Sequence, residues 1–302
     1  MPAFDPGLVH TPVTPFKREG AIDFDRYGTL LEFHIGHGAD ALALPMHAGE
    51  SVSLPDGERR ALLEFAIARV NGRRPIIAHV SETGTMIAAA LARHAEAAGA
   101  AAVVATTPYY WTPPPSMLLQ HFVEIGAAVT VPMLVYNAPE EMQGGRLNAE
   151  LCRKLIEQLP NFAGVVDLSL DWQFMIELMT DAPHLRDGFQ LLSGTELLVS
   201  PAAIGAAGMF APLAGIAPRL VRALYDLCRG QKLFEARPAQ EQVAALRQAV
   251  KDVASLKAAM RAMERDCGEP RPPLLPLDAV AYQKLIGELD AIAALRAEPR
   301  GW

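Results

Sequence analysis

The sequence predicts an α/β fold: a (β/α)8 TIM barrel of parallel strands followed by a C-terminal helical appendage. Two observations carry this. Between residues 8 and 229, short apolar runs alternate with amphipathic stretches of helical period, and the alternation repeats eight times. From about residue 233 the strand-like runs stop and only helical patterns continue. A strand reached through a crossover helix lies parallel to the one before it and is buried on both faces. It therefore reads as a continuous apolar run and not as an alternation.

Residues 8–13 form the first run, followed by helical residues 24–37. Residues 41–46 lead into helix 57–70, which Gly72 closes, and residues 75–80 lead into helix 85–99, which ends at Gly99. Residues 101–106 pass through the stiff Pro113-Pro114-Pro115 loop to helix 116–128, and residues 132–136 lead to helix 148–159. Residues 163–167, 190–193 and 208–211 complete the strands, with Thr195 a candidate N-cap for the helix after the seventh. An open doubly wound sheet is the structural rival. The first strand-helix turn, residues 13–22, lacks G-x-G-x-x-G, so a dinucleotide site has little support there. The expected division is a barrel over 1–229 and packed helices over 230–302, at 234–250, 251–267 and 278–294, interrupted by Pro-rich residues 269–276. Residues 297–302 have little to bury except Trp302 and are expected to be loose.

The chain of 302 residues is 51% hydrophobic and 20% charged, enough to bury a large core. A net charge of −7 argues against nucleic acid or an anionic membrane as partner. Cys152, Cys228 and Cys267 are widely spaced, with no CxxC or Cys/His cluster, so a disulfide framework and a structural zinc are not expected. The N-terminus has no signal-peptide pattern, and no apolar run reaches the roughly 18 residues of a membrane span. The expectation is a cytoplasmic protein acting on a small molecule, without a cofactor.

Barrels of this kind place their ligands at the carboxyl ends of the strands. Those ends supply His47, Gly49 and Glu50 after the second strand; His79, Ser81 and Glu82 after the third; and Thr106, Thr107, Tyr109 and Tyr110 after the fourth. The fifth supplies Tyr136, Asn137, Glu140 and Glu141, the sixth Asp167 and Ser169, the seventh Ser193 and Thr195, and the eighth Phe210.

The segments "TPVTPFKREGAID", "HAGESVSLPDGER", "TPYYWTPPP", "VPMLVYNAPE", "FAGVVDLSLD" and "RPPLLPL" carry a resemblance along essentially the whole chain. It is to the dihydrodipicolinate synthase/N-acetylneuraminate lyase family of class I aldolases. The resemblance implies a (β/α)8 barrel, usually a tetramer built from dimers, that holds a 2-oxo acid as a Schiff base on a strand-6 lysine. It implies a proton-relay tyrosine at Tyr136, in "YNAP", and a tyrosine lent by the neighbouring subunit at Tyr110, in "PYYW". Gly49 and Glu50 match the end of the family's Gly-Thr-Thr-Gly-Glu loop, but Met46-His47-Ala48 replaces Gly-Thr-Thr, removing two hydroxyl donors. Where synthase members carry an arginine, Glu141 stands with the opposite charge. The strand-6 motif Gly-Ile-Lys-Asp becomes Gly164-Val165-Val166-Asp167, so the Schiff-base lysine aligns with Val166.

A valine cannot form an iminium, and a Schiff base needs a primary amine of lowered pKa. No lysine lies on a predicted strand; Lys17, in the first strand-helix loop, is the one other candidate near a strand end. The expected pocket therefore uses Tyr136 and Tyr110 to move protons, with His47, Ala48, His79, Glu141, Val166 and Phe210 facing the ligand. Asp167, one residue from an inward Val166, is expected to point away from the barrel axis and hold a loop. Three functions compete: a lyase or hydro-lyase on a small carbonyl or carboxylate compound without Schiff-base chemistry; a non-catalytic binder or structural relative; and a metal-assisted aldolase or hydrolase using His47 and His79, with Glu141 or Asp167 as a carboxylate ligand. Without an iminium, a carbanion beside a carbonyl must be stabilised by hydrogen bonds or a metal. A homo-oligomer, dimer or tetramer, is expected from the resemblance.

Overall fold

The structure, a computed structural model, describes residues 4–139 and 145–302. Eight parallel strands close in chain order into a barrel: β1 (Leu8–His10), β2 (Ala41–Leu44), β3 (Ile76–His79), β4 (Ala102–Thr106), β5 (Met133–Asn137), β6 (Phe162–Asp167), β7 (Gln190–Ser193) and β8 (Gly208–Ala211). All are buried except for the half-buried Ala163 and Gln190, as the continuous apolar runs require. The first two strands end earlier than the apolar pattern does. Pro12 and Pro45 follow closely behind β1 and β2, and a proline has no N–H to give to the ladder.

The helices are α1 (Phe24–Gly36), α2 (Asp56–Val70), α3 (Thr85–Ala98), α4 (Pro115–Ala127), α5 (Ala149–Gln158), α6 (Trp172–Leu185), α7 (Val199–Ile204), α8 (Pro218–Arg229), α9 (Leu233–Ala249), α10 (Val253–Ala262) and α11 (Ala279–Asp290). Side-chain caps start several of them: Asp23 accepts from Arg26 N–H before α1, Asn148 from Leu151 N–H before α5, and Asp171 from Phe174 N–H before α6. Thr195 caps nothing: α7 begins at Val199 behind Leu198, and the Thr195 N–H turns back to the Ser193 hydroxyl.

By compactness the chain forms two units, one of Pro75–Phe210 with the N-terminal residues up to Gly7, the other of Leu8–Arg74 with Ala211–Trp302. The first unit contains the continuous ladder from β3 to β8, and its β6 is held against β7 at Gly164. A Cβ there would lie 2.3 Å from the Gln190 carbonyl oxygen, an obstacle of backbone that cannot swing aside. Gly164→Ala is expected to destabilise the protein by roughly 3 kcal/mol, the upper range for overpacking a core. A urea midpoint equal to that of the unmodified protein would show that the strand gives way instead.

The second unit is organised around Arg265. This guanidinium, fully buried, donates to the carbonyls of Gly215 (3.0 Å), Ile216 (2.9 Å), Pro299 (2.8 Å) and Gly301 (3.0 Å), and lies 4.4 Å from the centre of the Phe33 ring. Two sequence expectations fall with it. The C-terminal tail is not loose: Arg265 grips its carbonyls, Glu298 accepts from the Arg219 and Leu220 N–H groups at the start of α8, and the Trp302 ring meets Phe33 edge-on. The helix expected over 251–267 ends at Ala262, because Glu264 takes a left-handed φ of 65° that turns the next residues inward.

Candidate functional site

In parallel pairs, residues opposite one another project to the same face of the sheet. The register joins Thr106 to Tyr136, Tyr136 to Val166, Val166 to Leu192, and Leu192 to Gly208. Period-two alternation adds Phe210 to this face, and the pairing of His79 with Val104 adds His79. The rings of Tyr136 and Phe210 lie 6.3 Å apart, centre to centre. Because β6 and β7 stand between their strands, that contact crosses the barrel interior. Tyr136, Val166 and Phe210 therefore share one inward face, with exposures of 5%, 0% and 1%.

The opposite face carries Asn137, Asp167 and Ser193 in register. Asn137 Nδ2 donates to Asp167 Oδ1 at 2.6 Å, and the Ser169 hydroxyl and Leu170 N–H donate to the same carboxylate. Burial raises the Asp167 pKa, and these bonds work against the rise. Asp167 pins the β6 end to β5 and to its own following turn. Its oxygens are engaged away from the interior face, which removes it as a ligand for a metal held by His79.

His79 ends β3 and is buried. Its Nε2 lies 2.7 Å from the Ser81 hydroxyl, which also accepts the Thr106 N–H at 2.7 Å. Serine thus couples the orientation of the imidazole to the backbone of β4, and the Thr106 hydroxyl donates onward to the Tyr136 carbonyl at 2.9 Å.

Tyr110 behaves differently. It is 98% exposed and holds a left-handed φ of 82°, uncommon outside glycine, in the loop before Pro113. Its neighbour Tyr109 turns inward enough to donate from its hydroxyl to Glu82 at 3.3 Å. Within its own chain Tyr110 is not brought to the Tyr136 face. Glu140 and Glu141 lie outside the described residues.

The second unit holds the loop after β2. His47 starts a single 3-10 turn, His47–Gly49, and is exposed; Ala48 behind it is buried. Gly49 packs closely: a Cβ would meet the Pro12 carbonyl at 3.2 Å, and Thr14 donates its hydroxyl to the Gly49 carbonyl at 2.7 Å. Glu50 follows at a left-handed φ of 56°, fully buried, with Lys257 Nζ 2.6 Å from its Oε1 and the Arg271 N–H 2.8 Å from its Oε2. Sequence reasoning set Lys257 aside as one of the C-terminal helix lysines. The signal that marks it was present: "VASLKAAM" places one charge among apolar and small residues all round the helix, a pattern that buries the charge. Among the described residues no three His, Cys, Asp or Glu side chains gather where they could hold a metal ion.

With this geometry, the model of the dihydrodipicolinate synthetase family matches residues 5–292. The chain belongs to that family. It is 31% identical to a 4-hydroxy-tetrahydrodipicolinate synthase of Caldicellulosiruptor bescii over 266 residues, 87% of this chain and 88% of that one. It is 30% identical to the corresponding synthase of Bacillus subtilis over 284 residues, 92% of this chain and 97% of that one. Among solved structures it is similar to the dihydrodipicolinate synthase of Aquifex aeolicus, with a TM-score of 0.89, 27% identity, and coverage of 94% of this chain and 97% of that one. It is also similar to a dihydrodipicolinate synthase variant described as monomeric, with a TM-score of 0.88, 25% identity, and coverage of 94% and 95%. The barrel and the family membership expected from the sequence both hold. No helix among the described residues is long and apolar enough to cross a membrane.

Proposed function

We propose that this family member is a lyase or hydro-lyase on a small carbonyl or carboxylate compound that works without a covalent pyruvate Schiff base. The observation that carries the reading is Val166: fully buried, in register with Tyr136 and on the same inward face, where an amine would have to stand. None of the eight strands carries a lysine. An imine forms only when a free amine attacks the carbonyl carbon with loss of water, and a hydrocarbon side chain offers no such nitrogen.

In this reading the Tyr136 hydroxyl gives and takes the proton at the carbon beside the carbonyl, and His79 polarises the substrate oxygen from the neighbouring part of the same face. Val166, Leu192 and Phe210 supply an apolar wall that excludes water and strengthens those polar contacts. His47, Ala48 and Glu141 are the further ligand contacts of this proposal. Tyr110 completes the site of a second copy: its 98% exposure and strained backbone suit a residue presented to a partner. Met86 and Ile87 on α3 and Met117 on α4, adjacent helices, are also exposed apolar side chains suited to cover by that copy. The protein so assembled is a cytoplasmic homo-oligomer, a dimer or tetramer, that needs no cofactor.

A second reading, a binder without turnover, draws support from the same hydrocarbon wall. Incubation with pyruvate and borohydride followed by intact-mass analysis tests the chemistry; the expected result is an unmodified mass. A stoichiometric adduct would overturn the proposal by revealing a reactive amine. Proton NMR of small 2-oxo and hydroxy acids separates enzyme from binder, since consumption that Tyr136→Phe abolishes is expected only of the enzyme.

A further inference from the structure

We infer that Lys257 and Glu50 form a positioning clamp that sets the loop after β2 from behind. The inference rests on the reading that this loop, through His47 and Ala48, meets the ligand. Glu50 stands between the two 3-10 turns of that loop, His47–Gly49 and Ser51–Ser53, and adopts a left-handed backbone conformation without being glycine. Such a conformation persists where its surroundings over-determine it. Here they do so at both carboxylate oxygens, Oε1 by the Lys257 ammonium at 2.6 Å and Oε2 by the Arg271 N–H at 2.8 Å.

Both members of the ion pair are almost completely buried, with side-chain exposures of 1% for Lys257 and 0% for Glu50. The Lys257 ammonium has two further supports: the Glu269 carbonyl at 3.3 Å and the Phe16 ring, 4.3 Å from its centre. The Arg271 guanidinium lies 4.2 Å from the centre of that ring and pairs with Glu58 at 2.8 Å, which fixes the residue whose backbone N–H meets Glu50. Burial lowers the Lys257 pKa and Glu50 works against that fall. A charge pair kept out of water in this way is a poor source of net stability; with both oxygens engaged, the Glu50 carboxylate is nevertheless held in one place. Glu50 passes the constraint along the chain: Gly49 is pressed against Pro12 and Thr14, which leaves His47 and Ala48 little freedom in where they stand. The lysine acts through Glu50 and touches no ligand itself.

His47 is the loop's own reporter, because its exposed imidazole gives proton-carbon NMR signals that can be assigned by comparison with His47→Gln. Lys257→Met alone strands a buried carboxylate and risks unfolding, so the informative variant is the neutral pair Glu50→Gln/Lys257→Met, with Lys257→Arg as the charge-preserving rescue. The probe is pyruvate, titrated without borohydride. The expected result is a folded double variant whose His47 signals shift or broaden and whose pyruvate affinity falls about tenfold, as misplaced contact groups produce, while Lys257→Arg keeps both near their original values. A folded double variant with His47 signals unchanged would overturn the clamp. If the unmodified protein does not bind pyruvate, the reading of the loop as a ligand site fails, and the His47 signals still decide the clamp.

Discussion

Lysine placed at position 166 is expected to trap pyruvate on borohydride treatment, turning an unmodified mass into a stoichiometric adduct. The side chain at 166 leaves β6 on the same face as Tyr136, its register partner one strand away, roughly 4.8 Å by ordinary strand spacing. The position is fully buried, with Leu192 its register partner on β7. Burial there penalises the ammonium form and drives the amine pKa down, which is the condition a Schiff-base lysine needs near neutral pH. The same burial threatens the fold, since a long side chain with an unpaired charge enters a space filled by valine; overpacking alone costs about 1–3 kcal/mol. Val166→Met separates the two effects, matching the lysine's reach without the nitrogen. A folded Val166→Lys protein that stays unmodified while Val166→Met is also folded would mean that a 2-oxo acid does not reach this face. The proposed site would then be wrong, and not merely its chemistry.

The reach of the sequence reading has a physical boundary. The strands were legible because parallel strands are apolar throughout, and the helices because one stripe of each is apolar. The outward direction of Asp167 was legible too, since alternation along a strand depends on nothing beyond the strand. What escaped depends on pairs far apart in the chain. Glu50 and Arg271 are separated by 221 residues, and Arg265 binds carbonyls near positions 215 and 300. No local period encodes such meetings. Arg265 and Lys257 read as solvent-facing charges only if α10 and the turn after it are imagined on the surface, whereas α10 is buried over nearly its whole length. His10 escaped for another reason. It falls inside a run recognised as a strand, and a single polar residue there does not disturb the apolar pattern.

His10 and its partner make stability expected to fall as the solution is acidified from pH 6.5. His10 Nδ1 on β1 and His34 Nδ1 on α1 lie 3.0 Å apart, both rings fully buried. One nitrogen must donate and the other accept, so the contact requires at least one neutral ring. Burial pushes the His34 pKa down to about 3, assisted by the Arg265 and His37 charges. Burial likewise holds His10 well below its usual value, assisted by His34, Arg222 and His37. Arg222 is itself paired with Asp40 at 2.9 Å. In the unfolded chain both rings would take up protons near pH 6.5, whereas the folded protein refuses them until far lower pH. Their contribution is therefore fully present above pH 6.5 and drains away below it, by about 1.4 kcal/mol per pH unit for each ring. At pH 5 His34 alone, with its folded pKa near 3, would have lost about 2 kcal/mol, and His10 adds in the same direction, against the 5–15 kcal/mol that typically holds a domain together. His121 in the other unit, lowered to about 4 mainly by burial, adds in the same direction. Asp167 and Glu298 oppose it, because burial raises their pKa values and they favour the folded state as they protonate. Urea midpoints from pH 6.5 to 5 should fall steeply in the unmodified protein and less steeply in a folded His10→Gln/His34→Gln variant, and equal slopes would show that the two rings do not govern the loss.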